Sequence, residues 1–474
     1  MDELNLVRKA ICAILPTQVS AAGEALQPRE LYIPPAHRKA LQLYSDIVVG
    51  DRGVGKSTWT LALANPQLQE VIGANIGELK NVLVHIGFAV AQDVQAYPDA
   101  DIIKSLLKKE FGPYNIWKTV VIRWLSHEIS KPITTESWEV SALWVRDNPE
   151  PCAKIMEEAN NYFKESGKNG LILFDALDRL SDRWEEMDTL VKELLRLVLS
   201  LKAFSNIYAK VFLRPDQLSR TTTAFPDSSK LLTTQTVLNW GIHDLHGLLW
   251  QQLCNAPGEG GDILRQYYKE AVGVTPSKSM GYWEITDNIK NDNKNQRALF
   301  EKLAGPWMGK DKRRGVPYVW TVGHLADGNK HTSPRSFLNA IQTAAEKSMD
   351  RRSEYPLHYE SIKSGVQSAS QIRVNEIAED YKWIGTLCTP LAGMNVPISF
   401  VAIQEKWQEE YPGGPNTIQA ALFPRALEDG WKCFRDELIR LGVFEEMRDG
   451  RINMPDLFRV GFKLGRKGGV PPVR

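Results

Sequence analysis

No stretch of this sequence comes near the roughly 18 consecutive apolar residues that a membrane-crossing helix needs, and its one early apolar run, Ala10 to Leu15, stops at Pro16. A membrane-spanning protein is therefore not expected, and the opening Met1-Asp2-Glu3 does not resemble a secretion signal. Cysteine is also scarce. The five residues Cys12, Cys152, Cys254, Cys388 and Cys433 are scattered without any Cys-x-x-Cys pair, which excludes a disulfide framework or a zinc ribbon. Net charge is nearly absent as well, with 58 basic against 57 acidic residues, so the chain as a whole has no field that would draw it to polyanions. Neither repeats nor low-complexity tails occur, and His243, His246 and His331 show no metal-ligand spacing. What remains is an unprocessed, cytoplasmic, multidomain protein, its 474 residues sufficient for about three cores.

The chain is organised by changes of hydrophobic pattern. Residues 1–44 read as an N-terminal leading segment with a short helix over Leu4 to Leu15. From 45 to 236, short β-branched runs alternate with helical stretches: Asp46 to Val49, Val82 to Ile86, Val120 to Ile122, Leu171 to Phe174 and Lys210 to Leu213. That alternation predicts an α/β core around a parallel, buried sheet. Residues 237–350 turn helical, as a lid would, with a polar solvated insertion expected over Ser277 to Lys294. In 351–474, helices are expected near Ser399 to Tyr411, Thr417 to Phe423 and Leu427 to Leu441. They precede two short runs joined by Asp449-Gly450, a tight-turn signal, so this part reads as a winged helix-turn-helix.

Chemistry concentrates at four places. Gly50-Asp51-Arg52-Gly53-Val54-Gly55-Lys56-Ser57 fits G-x-x-x-x-G-K-[ST] directly after the strand Asp46 to Val49. Glycines at Gly50, Gly53 and Gly55 let the backbone N–H groups, that of Val54 included, turn inward around phosphates, and the following helix adds its positive end. Lys56 is then placed for the β and γ phosphates and Ser57 for Mg²⁺, with Thr58 as an auxiliary phosphate contact. Gly170 to Phe174 is an apolar strand ending in Asp175, expected beside the P-loop strand. There Asp175 holds Mg²⁺ and Asp178 polarises the attacking water. Val211-Phe212-Leu213-Arg214 ends a third strand in a guanidinium able to sense a γ phosphate. Ser333-Pro334-Arg335 puts a cation in the first turn of a helix, where the dipole disfavours it, so Arg335 calls for a nearby anion. Each has a plainer reading: Asp175 and Asp178 as helix caps, Arg214 and Arg335 as surface or salt-bridged arginines. Arg179, Arg220 and Arg313-Arg314 are candidates for an arginine finger.

A cation-rich tail (Arg459, Lys463, Arg466, Lys467, Arg474), with Arg448 and Arg451 in the expected wing, offers phosphate contacts. The third expected helix of the winged unit, however, mixes Lys432, Arg435 and Arg440 with Glu428, Asp429, Asp436 and Glu437.

Through Val48 to Ser57, Leu173 to Asp178, Phe212 to Asp216 and Ser333 to Phe337, the chain resembles bacterial P-loop ATPases of the AAA+/STAND type. The resemblance implies ATP and Mg²⁺ as ligands, ATP hydrolysis, a homo-oligomer, and an ATP-gated switch acting on a partner effector protein, as in antiviral defence loci. It also leaves open a DNA-binding initiator or loader, and a non-hydrolysing nucleotide-bound scaffold. Unlike fuller STAND proteins, the chain has no C-terminal repeat array.

Overall fold

The computed structural model describes residues 2–15, 26–91, 93–279, 281–418, 422–424, 429–466 and 470–472. Two compact units emerge: Ala21–Asn239, and Trp240–Arg474 together with Met1–Ser20.

The first unit is built on a five-stranded sheet: β1 (Ile47–Val49), β2 (Val82–Phe88), β3 (Asn169–Phe174), β4 (Ile207–Leu213) and β5 (Thr236–Val237), in the order β2-β3-β4-β1-β5. All four pairings are parallel. The strands read as short apolar runs because helices cover the sheet: Leu171 to Phe174 are wholly buried, as are Ile47, Val48, Val211 and Leu213. Trp117 anchors this packing, its ring edge-on to Phe174 and its indole N–H donating to Leu190 O at 3.0 Å. One charge is enclosed at the centre of β4. Lys210 is fully buried, and its ammonium donates to the carbonyls of Ala40, Gln42 and Ser45 at 2.8, 2.9 and 2.6 Å. All three donors are used, so the lysine fastens the approach to β1 onto the sheet instead of standing as an unmet charge.

Two expectations for this unit are corrected. Val120 to Ile122 is no strand; it lies within the helix Pro113–Glu128, where every residue from Ile116 to Ser126 except Lys118 is buried. A helix enclosed on nearly all sides takes β-branched residues at each position, and that packing overrides their strand preference. The strand leading to Asp175 does not lie beside the P-loop strand either. β4 runs between β1 and β3, because the chain crosses to the far edge after β1 and returns.

In the second unit the helices Ile242–Cys254, Gly258–Val272, Asn293–Ala304, Pro317–His324 and Pro334–Ser348 form the lid. The helix Glu3–Ile14 packs against Gly258–Val272 and Pro334–Ser348. Arg8 fixes it by donating to Pro356 O and Ser353 Oγ, both at 2.8 Å. The polar stretch after Ser277 is ordered by side chains. Its strands β6 (Ser277–Ser279) and β7 (Tyr282–Glu284) form a hairpin whose Trp283 backbone is bracketed by Asn255 at 2.8 Å on both sides, while Gln251 donates to the same carbonyl at 2.7 Å.

The helix Tyr359–Asp380 runs along Pro334–Ser348 so closely that a Cβ on Gly365 would collide with the Ala340 carbonyl. The same helix packs against Asp456–Arg459, so lid and winged helix share one unit. The winged helix comprises Phe400–Glu410, Trp431–Arg440 and the hairpin β8 (Glu445–Glu446)/β9 (Ile452–Asn453), widened by an antiparallel bridge between Ile398 and Ile452. Gly450, at φ 79°, makes the turn. Trp383, Trp407, Phe434 and Phe444 fill its core. Of the helix expected over Thr417 to Phe423, Thr417 closes a single turn from Pro415, and 419–421 lie outside the described residues.

Candidate functional site

The shape of the loop Gly50 to Ser57 follows from its glycines. Gly53 and Gly55 stand at φ 81° and 101°, in the left-handed region, and Gly50 has no room for a Cβ, which would lie 2.6 Å from Val54 Cγ2. The Gly50 amide donates to Leu213 O at 3.0 Å, tying the loop to the end of β4. The helix Lys56–Ala64 begins directly at Gly55 with no side-chain cap, so its first N–H groups are available to an anion. Lys56 curls back over the loop and donates to Gly50 O at 2.6 Å and Asp51 O at 2.9 Å. Ser57 and Thr58 are exposed on the first turn.

Asp175 follows β3 and is 1% exposed. Ala176, after it, takes φ 57°, a conformation costly for alanine, and the backbone then turns sharply into the short helix Leu177–Arg179 that carries Asp178. Burial raises the Asp175 pKa, opposed by a hydrogen bond from Ser57 and the charge of Lys56. Its Oδ2 is enclosed without a hydrogen-bond partner. An orphaned buried carboxylate oxygen beside a hydroxyl and an ammonium suits a hard divalent cation, which would satisfy the lone pair that protein groups leave unmet. Ser57 and Asp175 therefore fit Mg²⁺.

The inserted β4 delivers Arg214 into the gap between the loop and β3. Arg214 Nη2 lies 2.6 Å from Asp178 Oδ2, both side chains largely sheltered at 15% and 30% exposure. Gln217 positions the arginine by accepting from its amide at 2.9 Å. Arg179 points to solvent. Lys56 feels the whole cluster: burial pulls its pKa down to about 8, with Asp175 and Asp178 raising it and Arg214 lowering it. Sequence alone did not mark Gln217, nor His37, whose Nδ1 accepts from Trp59 Nε1 at 3.1 Å behind the P-loop helix. Neither carries a motif.

Arg335 belongs to the other unit, where its guanidinium meets Glu376 at 2.6 Å. An anion for this cation in a first helical turn is thus supplied within the same unit, by the helix Tyr359–Asp380. One cation of the tail is corrected, while Lys463 and Arg466 are exposed. Arg459, expected among phosphate-contacting cations, is fully buried; it donates to Asp456 Oδ1 at 2.8 Å, Leu464 O at 2.9 Å and Val470 O at 2.5 Å. Lys467 and Arg474 lie outside the described residues.

Proton coupling at Lys56 gives an expected pH dependence. With its pKa at about 8 in the free protein, the ammonium is charged at pH 7, and phosphate binding needs no proton. As pH rises through 8 the free lysine loses its proton, so ATP affinity falls and binding becomes coupled to proton uptake. Calorimetry in buffers of different ionisation enthalpy measures that uptake; a proton count flat from pH 7 to 9.5 would contradict it.

No family model matches the sequence, and no curated protein does. Matches among solved structures include the Aeropyrum pernix ORC1 protein in complex with DNA, at 14% identity over 94% of this chain and 93% of that one with a TM-score of 0.36. The Aeropyrum pernix ORC2 protein matches in its ADPNP-ADP complexes (10% identity, 92% of each chain, TM-score 0.33) and in its ADP form (11%, 92% and 93%, TM-score 0.35).

Proposed function

We propose that this protein is a Mg-ATP-hydrolysing ATPase of AAA+ architecture whose nucleotide cycle acts on DNA, as in an initiator or loader. The observation that carries the ATPase reading is the partnerless Oδ2 of Asp175, held beside Ser57 and Lys56 at the carboxyl end of a parallel sheet. The loop N–H groups and Lys56 bind the phosphates; Ser57 and Asp175 hold Mg²⁺, which when bound neutralises phosphate charge. Asp178 orients water and accepts its proton. Arg214, released from Asp178, turns to the γ phosphate, a partner that ADP lacks. The 2.6 Å contact between Arg214 and Asp178 keeps the two side chains of this step beside one another.

Two outputs suit such a core, an effector-coupled oligomeric switch and a DNA-directed machine. The winged helix in the same chain favours the second.

ATP turnover over a protein concentration series, with and without duplex DNA, tests the reading, nucleotide binding being measured separately. Asp178→Asn is expected to lower turnover by about 10²–10⁴ while ATP still binds. Arg214→Gln narrows the preference for ATP over ADP. Turnover unaffected by Asp178→Asn sinks the assignment of the base, and absence of ATP binding in the wild type sinks the whole reading. Stimulation by an added protein but never by DNA would restore the effector switch.

A further inference from the structure

We infer that the loop Gly309–Gly315 of the helical unit is a contact for the phosphate backbone of duplex nucleic acid. The inference deepens the DNA reading above, and rests on it.

Gly309-Lys310-Asp311-Lys312-Arg313-Arg314-Gly315 places four cations and one acid in seven residues of a chain whose net charge is only +1. Lys310, Lys312, Arg313 and Arg314 are all exposed. The loop is nonetheless held in shape. The Met308 amide donates to Gly315 O at 2.9 Å and closes its base, and Asp311 Oδ1 accepts from the Arg313 amide at 2.9 Å. Gly309 and Gly315 take φ 150° and 94°, and Gly315 packs against Trp320. Asp311 spends its charge on Arg313 at 2.8 Å. Lys310, Lys312 and Arg314 make no ion pair among the described residues.

Four arginines of the winged helix contrast with these. Arg435 pairs with Asp436 at 2.6 Å, Arg451 with Asp449 at 2.8 Å, and Arg440 with Glu437, while Arg459 is buried. Lys432, Arg448 and Lys463 are exposed and without an ion pair among the described residues, but they stand singly along the chain, so closely spaced charge gathers in the lid loop. Like charges held close on a rigid loop repel one another, and the repulsion is relieved by a ligand with closely spaced anions. Duplex DNA offers about one phosphate per 1.7 Å of axis, whereas consecutive side chains of an extended acidic peptide are about 3.3 Å apart and point to opposite sides. The half-exposed Val319, one turn beyond the loop's closing glycine, adds an apolar edge suited to a sugar.

The test is fluorescence anisotropy of a labelled duplex with the full chain between 50 and 200 mM salt. Counterion release predicts that Lys310→Gln/Lys312→Gln/Arg314→Gln flattens the slope of log affinity against log salt by about 2.7, a loss of up to about 500-fold at 0.1 M. Arg435→Gln/Arg440→Gln/Arg451→Gln leaves the slope within about one of wild type. Nucleotide binding and thermal unfolding of the loop variant stay at wild-type values, which separates the effect from misfolding. DNA binding with an unchanged slope in the loop variant overturns the loop assignment while sparing the DNA reading. No duplex binding at 50 mM salt overturns both, and displacement of duplex by polyglutamate at equal charge concentration overturns the choice of nucleic acid.

Discussion

Lys56→Ala is expected to lower ATP turnover by about 10²–10³, the usual loss when one prepositioned donor to developing charge is removed. The figure is a lower bound if affinity is lost too. Lys56 is bonded to the carbonyls of Gly50 and Asp51, within the loop proposed to receive the phosphates. The alanine variant should remain folded, because the loop's shape is set by Gly53, Gly55 and the Gly50 to Leu213 hydrogen bond rather than by the lysine. Turnover assays paired with thermal unfolding check both halves. A variant as active as wild type would remove the phosphate-binding assignment, and one that unfolds would make the lysine a structural strut.

Arg459→Met is expected to cost about 3–5 kcal/mol, the loss typical when one member of a buried ion pair is removed. Arg459 is enclosed with Asp456, and the carboxylate also faces His324 at 2.6 Å and Arg466 at 3.6 Å. Without the arginine, Asp456 keeps its burial and loses a fully buried cation, and the carbonyls of Leu464 and Val470 lose their donor. Denaturant unfolding measures the cost, and a shift below 1 kcal/mol would contradict it. The same hub sets an acid limit. Burial alone would raise Asp456, but the His324 hydrogen bond and the Arg459 charge outweigh it and hold its pKa down to about 2. A carboxylate depressed on folding stabilises the native state above its unfolded pKa near 3.9. That contribution, roughly 2–3 kcal/mol, fades as pH falls from about 4 through 2.

The candidate loop Gly50 to Ser57 was readable in the sequence because its pattern is local: glycine positions, a lysine and a hydroxyl within eight residues. Asp175 and Asp178 were readable for the same reason, as the end of an apolar run. The pairing of Asp178 with Arg214 was not, since the two stand 36 positions apart and meet because β4 runs beside β3, and strand order leaves no mark in composition. Charge is legible in a sequence but burial is not, which is why Arg459 counted with the exposed cations of the tail. Val120 to Ile122 misled for a related reason: three β-branched residues suit a strand or a helix enclosed on all sides, and only its neighbours decide between them.

The placement of Glu3–Ile14 carries a consequence for how the protein is made. Its docking surfaces, Gly258–Val272 and Pro334–Ser348, and the Ser353 and Pro356 groups that hold Arg8, are translated more than 240 residues later. A twelve-residue helix is marginal alone in water, so on the ribosome this segment waits, its apolar face uncovered, while the P-loop unit emerges and folds. Completion of the helical unit is therefore a late, long-range closure, and the nascent chain passes through a stage in which the unit around the parallel sheet is finished and the helix Glu3–Ile14 is still unclaimed.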